Sequence, residues 1–120
     1  MGFDTKFETL IAQLLSHTEE GALVWEVRKP PSQIVSATNE VVDLFFTTKF
    51  KEKILGIYEE KYQFYMADED IFRWASSIIF TILDNDDNVL TKRQENQPLL
   101  MQLYSSVGDQ VSGIDDLLDD

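Results

Sequence analysis

Residues 74–91 read Trp-Ala-Ser-Ser-Ile-Ile-Phe-Thr-Ile-Leu-Asp-Asn-Asp-Asp-Asn-Val-Leu-Thr, and the fold turns on them. Trp74, Ser76, Ile78, Phe80 and Ile82 fall on one side of an extended chain, and Ser77, Ile79, Thr81 and Leu83 on the other. Both sides are largely apolar, so the segment predicts a central strand covered on each face, with Trp74 buried. Residues 84–88 are a turn by composition, and Val89-Leu90-Thr91 return as a hairpin arm. Antiparallel pairing follows.

The same period of two runs upstream. Val42, Leu44 and Phe46 alternate with Asp43, Phe45 and Thr47 as a further strand. Ile54–Tyr58 and Tyr62–Met66 read as two arms around Glu59-Glu60-Lys61, with Asp68-Glu69-Asp70 as a polar break. Leu23, Trp25 and Val27 form the inner face of a strand that Pro30-Pro31 ends, since proline cannot donate to a ladder. Ile34–Ala37 is a candidate short strand. Lys49, Lys51 and Lys53 alternate as a basic stripe suited to guarding a sheet edge or to docking an acidic partner.

Helical periods flank the strands. Phe7, Leu10, Ile11, Leu14, Leu15 and Thr18 share one helix face, Thr5 and Glu8 have capping-box spacing, and Gly21 supplies the stop. At the other end Asn96 or Gln97 caps and Pro98 suits a first turn. Leu100, Tyr104, Val107, Val111, Ile114 and Leu118 then form a heptad seam. The seam favours one unbroken helix; Ser112 and Asp115, in capping-box spacing around Gly113, offer a break instead. The expected fold is α+β: an N-terminal helix, an antiparallel meander of four to six strands and a long C-terminal helix, in a single domain.

Composition bounds the chemistry. The 120 residues, 43% hydrophobic, suffice for one self-supporting core. Without cysteine there are no disulfides, thiol catalysis or cysteine zinc sites, and the single histidine makes no imidazole metal cluster. A net charge of −12 argues against nucleic-acid phosphate as a partner. No apolar run is long enough to cross a membrane, and the first thirty residues lack a secretory pattern. A soluble cytoplasmic protein is expected.

A helix running into Thr18-Glu19-Glu20-Gly21-Ala22-Leu23-Val24-Trp25, an Asp-x-Asp hairpin at residues 84–88, and Leu103-Tyr104 in an acidic-ended helix together resemble a set of small uncharacterised bacterial α+β proteins. The resemblance implies this fold class and a bacterial setting, and attaches no activity.

Candidate sites are few. His17, the only imidazole, sits in the last turn of the first helix, where a cation is favourable; Ser16 beside it faces elsewhere. No nucleophile–base pair is legible, so no catalytic residue and no cofactor is expected. Asp84, Asp86 and Asn88 match positions 1, 3 and 5 of a calcium loop, with Glu95 at position 12. Val89 stands where that loop needs glycine and Lys92 opposes the charge, so calcium affinity no tighter than millimolar is expected there. The aromatic run Tyr58, Tyr62, Phe64, Tyr65, Phe72 and Trp74 reads mainly as core, with partial exposure for binding as the alternative, since Tyr and Trp are enriched in interface hot spots.

An unbroken helix from Gln97 to Leu118 would extend about 33 Å against ~17–20 Å for a strand. Its overhang, carrying Val111, Ile114 and Leu118, would need a second apolar surface, which predicts a homodimer. Asp115, Asp116, Asp119 and Asp120 lie at the negative end of that helix, and a basic protein partner would relieve them. The functional expectation is a non-enzymatic, acidic protein-binding module, immunity- or antitoxin-like or secretion-chaperone-like, with a weak divalent-metal or ligand-binding module as the alternative.

Overall fold

The computed structural model describes residues 5–31, 34, 41–94 and 98–118, and the side chains of all these except 41–43, 115 and 116. Helix α1 (Thr5–Glu19) leads into strands β1 (Glu26–Arg28), β2 (Val41–Phe50), β3 (Lys53–Met66), β4 (Ile71–Leu83) and β5 (Val89–Gln94). Helices α2 (Pro98–Ser112) and α3 (Ile114–Leu118) follow. The sheet order is β1-β2-β3-β4-β5 with every neighbour antiparallel, so the fold is the expected α+β meander between terminal helices.

Helix α1 forms because Phe7, Ile11, Leu14 and Thr18 bury one stripe. It stops in a Schellman geometry: Gly21 has φ 79°, its N–H donates to the Thr18 carbonyl, and the Ala22 N–H donates to that of His17 at 2.8 Å. That stripe and Leu100, Leu103 and Val107 of α2 cover one face of the sheet, meeting Phe46, Leu55, Ile57 and Phe80. The opposite face has its own smaller core of Ile34, Phe45, Tyr58, Ile79 and Leu83. Residues 79–81 are buried from both sides, as the apolar alternation of β4 requires.

Gln110 ties the chain's two ends together. Its side-chain oxygen accepts the Trp25 N–H at 2.7 Å, and its amide donates to the Leu23 carbonyl at 2.7 Å and the Thr18 carbonyl at 3.3 Å. The Trp25 indole donates to the Thr18 hydroxyl at 2.9 Å. Gln110→Ala orphans these backbone groups and is expected to cost about 1–3 kcal/mol. Urea denaturation followed by tryptophan fluorescence checks this; an unchanged midpoint would show that water replaces the amide at no cost.

Four details differ from the sequence reading. Glu59-Glu60-Lys61 does not separate two arms: β3 runs straight through, because Glu60 and Lys61 pair with Val42 and Val41 on one side and with Ser77 and Ser76 on the other. Burial of Glu60 is offset by the Lys92 ammonium at 3.5 Å. The three lysines form no strand stripe either, since Lys51 and Glu52, both with positive φ, make the type I′ turn between β2 and β3. The C-terminal helix is not continuous, because Gly113 enters the left-handed region at φ 70° and separates α2 from α3. Lastly, β1 is only three residues long: Leu23 and Trp25 are buried as expected, but Val27 is half exposed at the sheet margin. Ile34 is buried in helical geometry; residues 35–37 of the candidate strand, and the capping positions 96 and 97, lie outside the described residues.

Candidate functional site

Strands β3 and β4 pair from Ile54↔Leu83 to Met66↔Ile71. Their neighbours stop earlier: β2 reaches only Lys61, and β5 only Ile79. Residues 62–66 and 71–75 therefore project as a two-stranded arm, with no strand beside either edge among the described residues.

The arm is stiffened at its tip. The Glu69 N–H donates to the Met66 carbonyl, and Asp70 closes the turn with φ 52°. The Arg73 guanidinium holds the Glu69 carboxylate at 3.2 Å and donates to the Met66 sulfur at 3.1 Å. On the opposite face the Tyr65 hydroxyl donates to the Asp70 carboxylate. That bond stabilises the protonated phenol and, with a smaller contribution from desolvation, raises its pKa above the ordinary tyrosine value. The Tyr65 and Phe72 rings pack at 5.2 Å.

Tyr65, Phe72 and Trp74 share one face of this arm and are 50%, 64% and 61% exposed. Phe64 and Ile71 are exposed on the other face. The aromatic run expected in the core is thus divided. Tyr58 is buried beneath Phe45, whereas the aromatics beyond Lys61 outreach the helices and flanking strands that would cover them. Trp74, expected inside, is outside for the same reason. The structure shows the cause as a mismatch of lengths, because strands of fourteen and thirteen residues cannot be flanked throughout by neighbours of ten and six; the sequence reading, which splits β3 into two short arms, carries no such signal.

The calcium-loop candidates form a turn. The Asp84 carboxylate accepts the N–H groups of Asp86 and Asn88, each at 2.9 Å, and the Asn88 side-chain amide at 3.0 Å. Asp87 is engaged by Arg28 at 2.6 Å, whose guanidinium lies over the Phe45 ring on its way across the sheet. Glu95 lies outside the described residues, and among those described no group of three or more His, Cys, Asp or Glu side chains could hold a metal.

The Asn88 side chain and backbone hydrogen bonds, stabilising the ionised form, hold the Asp84 pKa below the usual ~3.9. A depressed folded-state pKa gives stability that is present above the unfolded value and lost as pH falls through the folded one. Asp84→Asn should therefore be less stable than the parent at neutral pH, with the gap closing in acid. Thermal melts from pH 7 down to pH 2 read this, and a gap independent of pH would assign the loss to geometry rather than charge.

The C-terminal candidates are scattered. Val111 is half buried and lines an apolar groove of about 450 Å3 with Val27, Leu44, Phe46 and Tyr104. Ile114 and Leu118 are exposed on α3. Because the chain turns at Gly113, the straight overhang that called for a homodimer does not form. Asp115 and Asp116 belong to α3, their side chains outside the described set, and Asp119 and Asp120 lie outside the described residues. His17 is half exposed near Glu20 and the Phe50 ring. No helix among the described residues is long and apolar enough to cross a membrane.

Compared with protein-family models, curated proteins and solved structures, the chain matches none of them.

Proposed function

We propose that this chain is a non-catalytic protein-binding module that engages its partner through the β3–β4 arm. The supporting observation is the exposed face of Tyr65, Phe72 and Trp74, held on a strand pair whose tip is braced by Arg73–Glu69 and Tyr65–Asp70. Tyrosine and tryptophan are the side chains most enriched in interface hot spots, because they bury large area at low entropic cost. An isolated two-stranded ribbon is also marginal in water, so this arm gains from a surface laid against it. The acidic turn of Asp68, Glu69 and Asp70 beside the aromatics adds a charged rim that favours basic surroundings. The immunity-like and secretion-chaperone-like roles both remain within this reading.

The test is a photo-crosslinking amino acid placed at Phe72, with one at Glu20 on the far side as control, in cells of the source organism. The expected result is a discrete protein adduct from position 72 that is absent from position 20 and lost with Tyr65→Ala and Trp74→Ala. No adduct at 72, or the same adducts from both positions, would overturn the reading.

A further inference from the structure

The arm exposes backbone as well as aromatic rings. The type I′ turn at Lys51-Glu52 closes on the pair Phe50↔Lys53, which exchanges both its hydrogen bonds. Alternation along the ladder then aims the odd-numbered residues of β3 at β2 and the even-numbered ones at β4. Across the unbroken β3–β4 register, the odd-numbered residues of β4 face β3, and Phe72, Trp74, Ser76 and Ile78 direct N–H and C=O groups outward. Strand β5 begins its pairing only at Ile79, so no described strand receives them.

The outer strands of this sheet are guarded, whereas both edges of the arm are open among the described residues, and the β4 edge, running from Ile71 to Ile78, is longer than the β3 edge at residues 62–66. Strand β1 is three residues long and runs into Lys29-Pro30-Pro31, and β5 carries Lys92 and Arg93. The segment from Ile71 to Ile78 has one charge, Arg73, and no proline or lysine. It is an unprotected edge of the kind that natural sheets avoid unless it is used.

Resting on the reading of the arm as a binding surface, we infer that its first occupant is a second copy of this chain, paired antiparallel through β4. A two-fold axis at Trp74 sets Trp74 opposite its counterpart in the second copy and Phe72 opposite Ser76, and it stops the second strand short of Ile79, where Gln94 is already paired. The outward N–H and C=O groups of Phe72, Trp74 and Ser76 are then satisfied, and the small serine leaves room for the phenyl ring. The same register brings each acidic tip, Asp68-Glu69-Asp70, to the end of β5 in the other copy, where Lys92 and Arg93 lie. This charge complementarity favours a second copy over an arbitrary strand. The product is one continuous sheet in which two aromatic faces join into a single larger surface, left open to a further protein.

Sedimentation equilibrium of the full chain, from micromolar to submillimolar concentration, tests the pairing. A dimer is expected. Ser76→Pro removes an outward donor while leaving the bonds to β3 in place, and should weaken dimerisation at least tenfold. Trp74→Lys, which installs a guard on the edge without altering the backbone, should do the same with an unchanged circular dichroism spectrum. Neutralising the tip (Asp68→Asn, Glu69→Gln, Asp70→Asn) should weaken the dimer and reduce its sensitivity to salt. A monomer throughout the concentration range, or a dimer indifferent to both Ser76→Pro and Trp74→Lys, overturns the inference. A monomer that still gives the position-72 adduct with a different protein overturns self-pairing alone and leaves the proposed function standing.

Discussion

Phe80→Ala is expected to lower the unfolding free energy by about 3–5 kcal/mol, the range for emptying a buried aromatic site. Phe80 is fully buried, meets the Phe7 ring edge-on at 5.7 Å, and sits between Ile57 and Arg93 across the sheet. It joins the α1 stripe to the middle of β4, so no nearby side chain can collapse into the space without moving a helix. Against a total stability of roughly 5–15 kcal/mol, this loss leaves a marginal protein. Urea denaturation should show the midpoint lowered by roughly 2 M. A change below ~1 kcal/mol would mean that α1 is loosely seated and that the helix face of the sheet contributes little.

Gly56→Val tests the opposite face, where space rather than filling is the requirement. A Cβ at Gly56 would stand 2.7 Å from Cζ of Phe45 and 2.8 Å from Cγ2 of Thr81. Both of these side chains are fully buried, so neither has room to withdraw. Valine ordinarily favours a strand over glycine. Here the overlap outweighs the propensity, and a loss of roughly 3 kcal/mol is expected, at the upper end for overpacked cores. A double-mutant cycle identifies the cause. Phe45→Leu shortens the ring that collides, so Gly56→Val should cost about 1 kcal/mol less in that background. Strictly additive losses would point to the backbone of β3 instead.

The terminal helices and the alternating strands were legible because each is settled by local rules. The Phe7–Thr18 stripe, the stop at Gly21, the proline at the start of α2 and the hairpin at residues 84–88 depend on neighbours within a few positions. What escaped the sequence depends on partners far along the chain. Glu59-Glu60-Lys61 has the composition of a turn and becomes strand because β2 and β4 pair with it from both sides and Lys92 reaches the Glu60 carboxylate. Trp74 has the alternation of a buried strand residue and lies outside because its neighbours end before reaching it. Alternation shows that two faces differ, or that both are apolar; it does not show whether anything lies on them. The aromatic run reads mainly as core for that reason, and its outer residues are exposed instead. At Gly113 the heptad seam favours an unbroken helix over the break, and the left-handed backbone there overturns that preference.

The bond between Gln110 and Trp25 joins residues 85 positions apart, and it bears on the order in which the protein is made. During synthesis the hairpins β2–β3 and β3–β4 can close as soon as their own residues emerge, because their contacts are local. The sheet face of Phe46, Ile57 and Phe80 then has α1 on it but not Leu100, Leu103 and Val107, which emerge only with α2. Until α2 has cleared the ribosome, the nascent chain displays a half-covered apolar sheet together with the uncovered aromatic arm. A chain terminated before residue 98 would keep every strand and lack the cover for its largest core, the state in which aggregation competes with folding. The fifteen-residue helix α2 is therefore the step that commits the fold, and the docking of its Leu100, Leu103 and Val107, rather than formation of the sheet, closes the larger core.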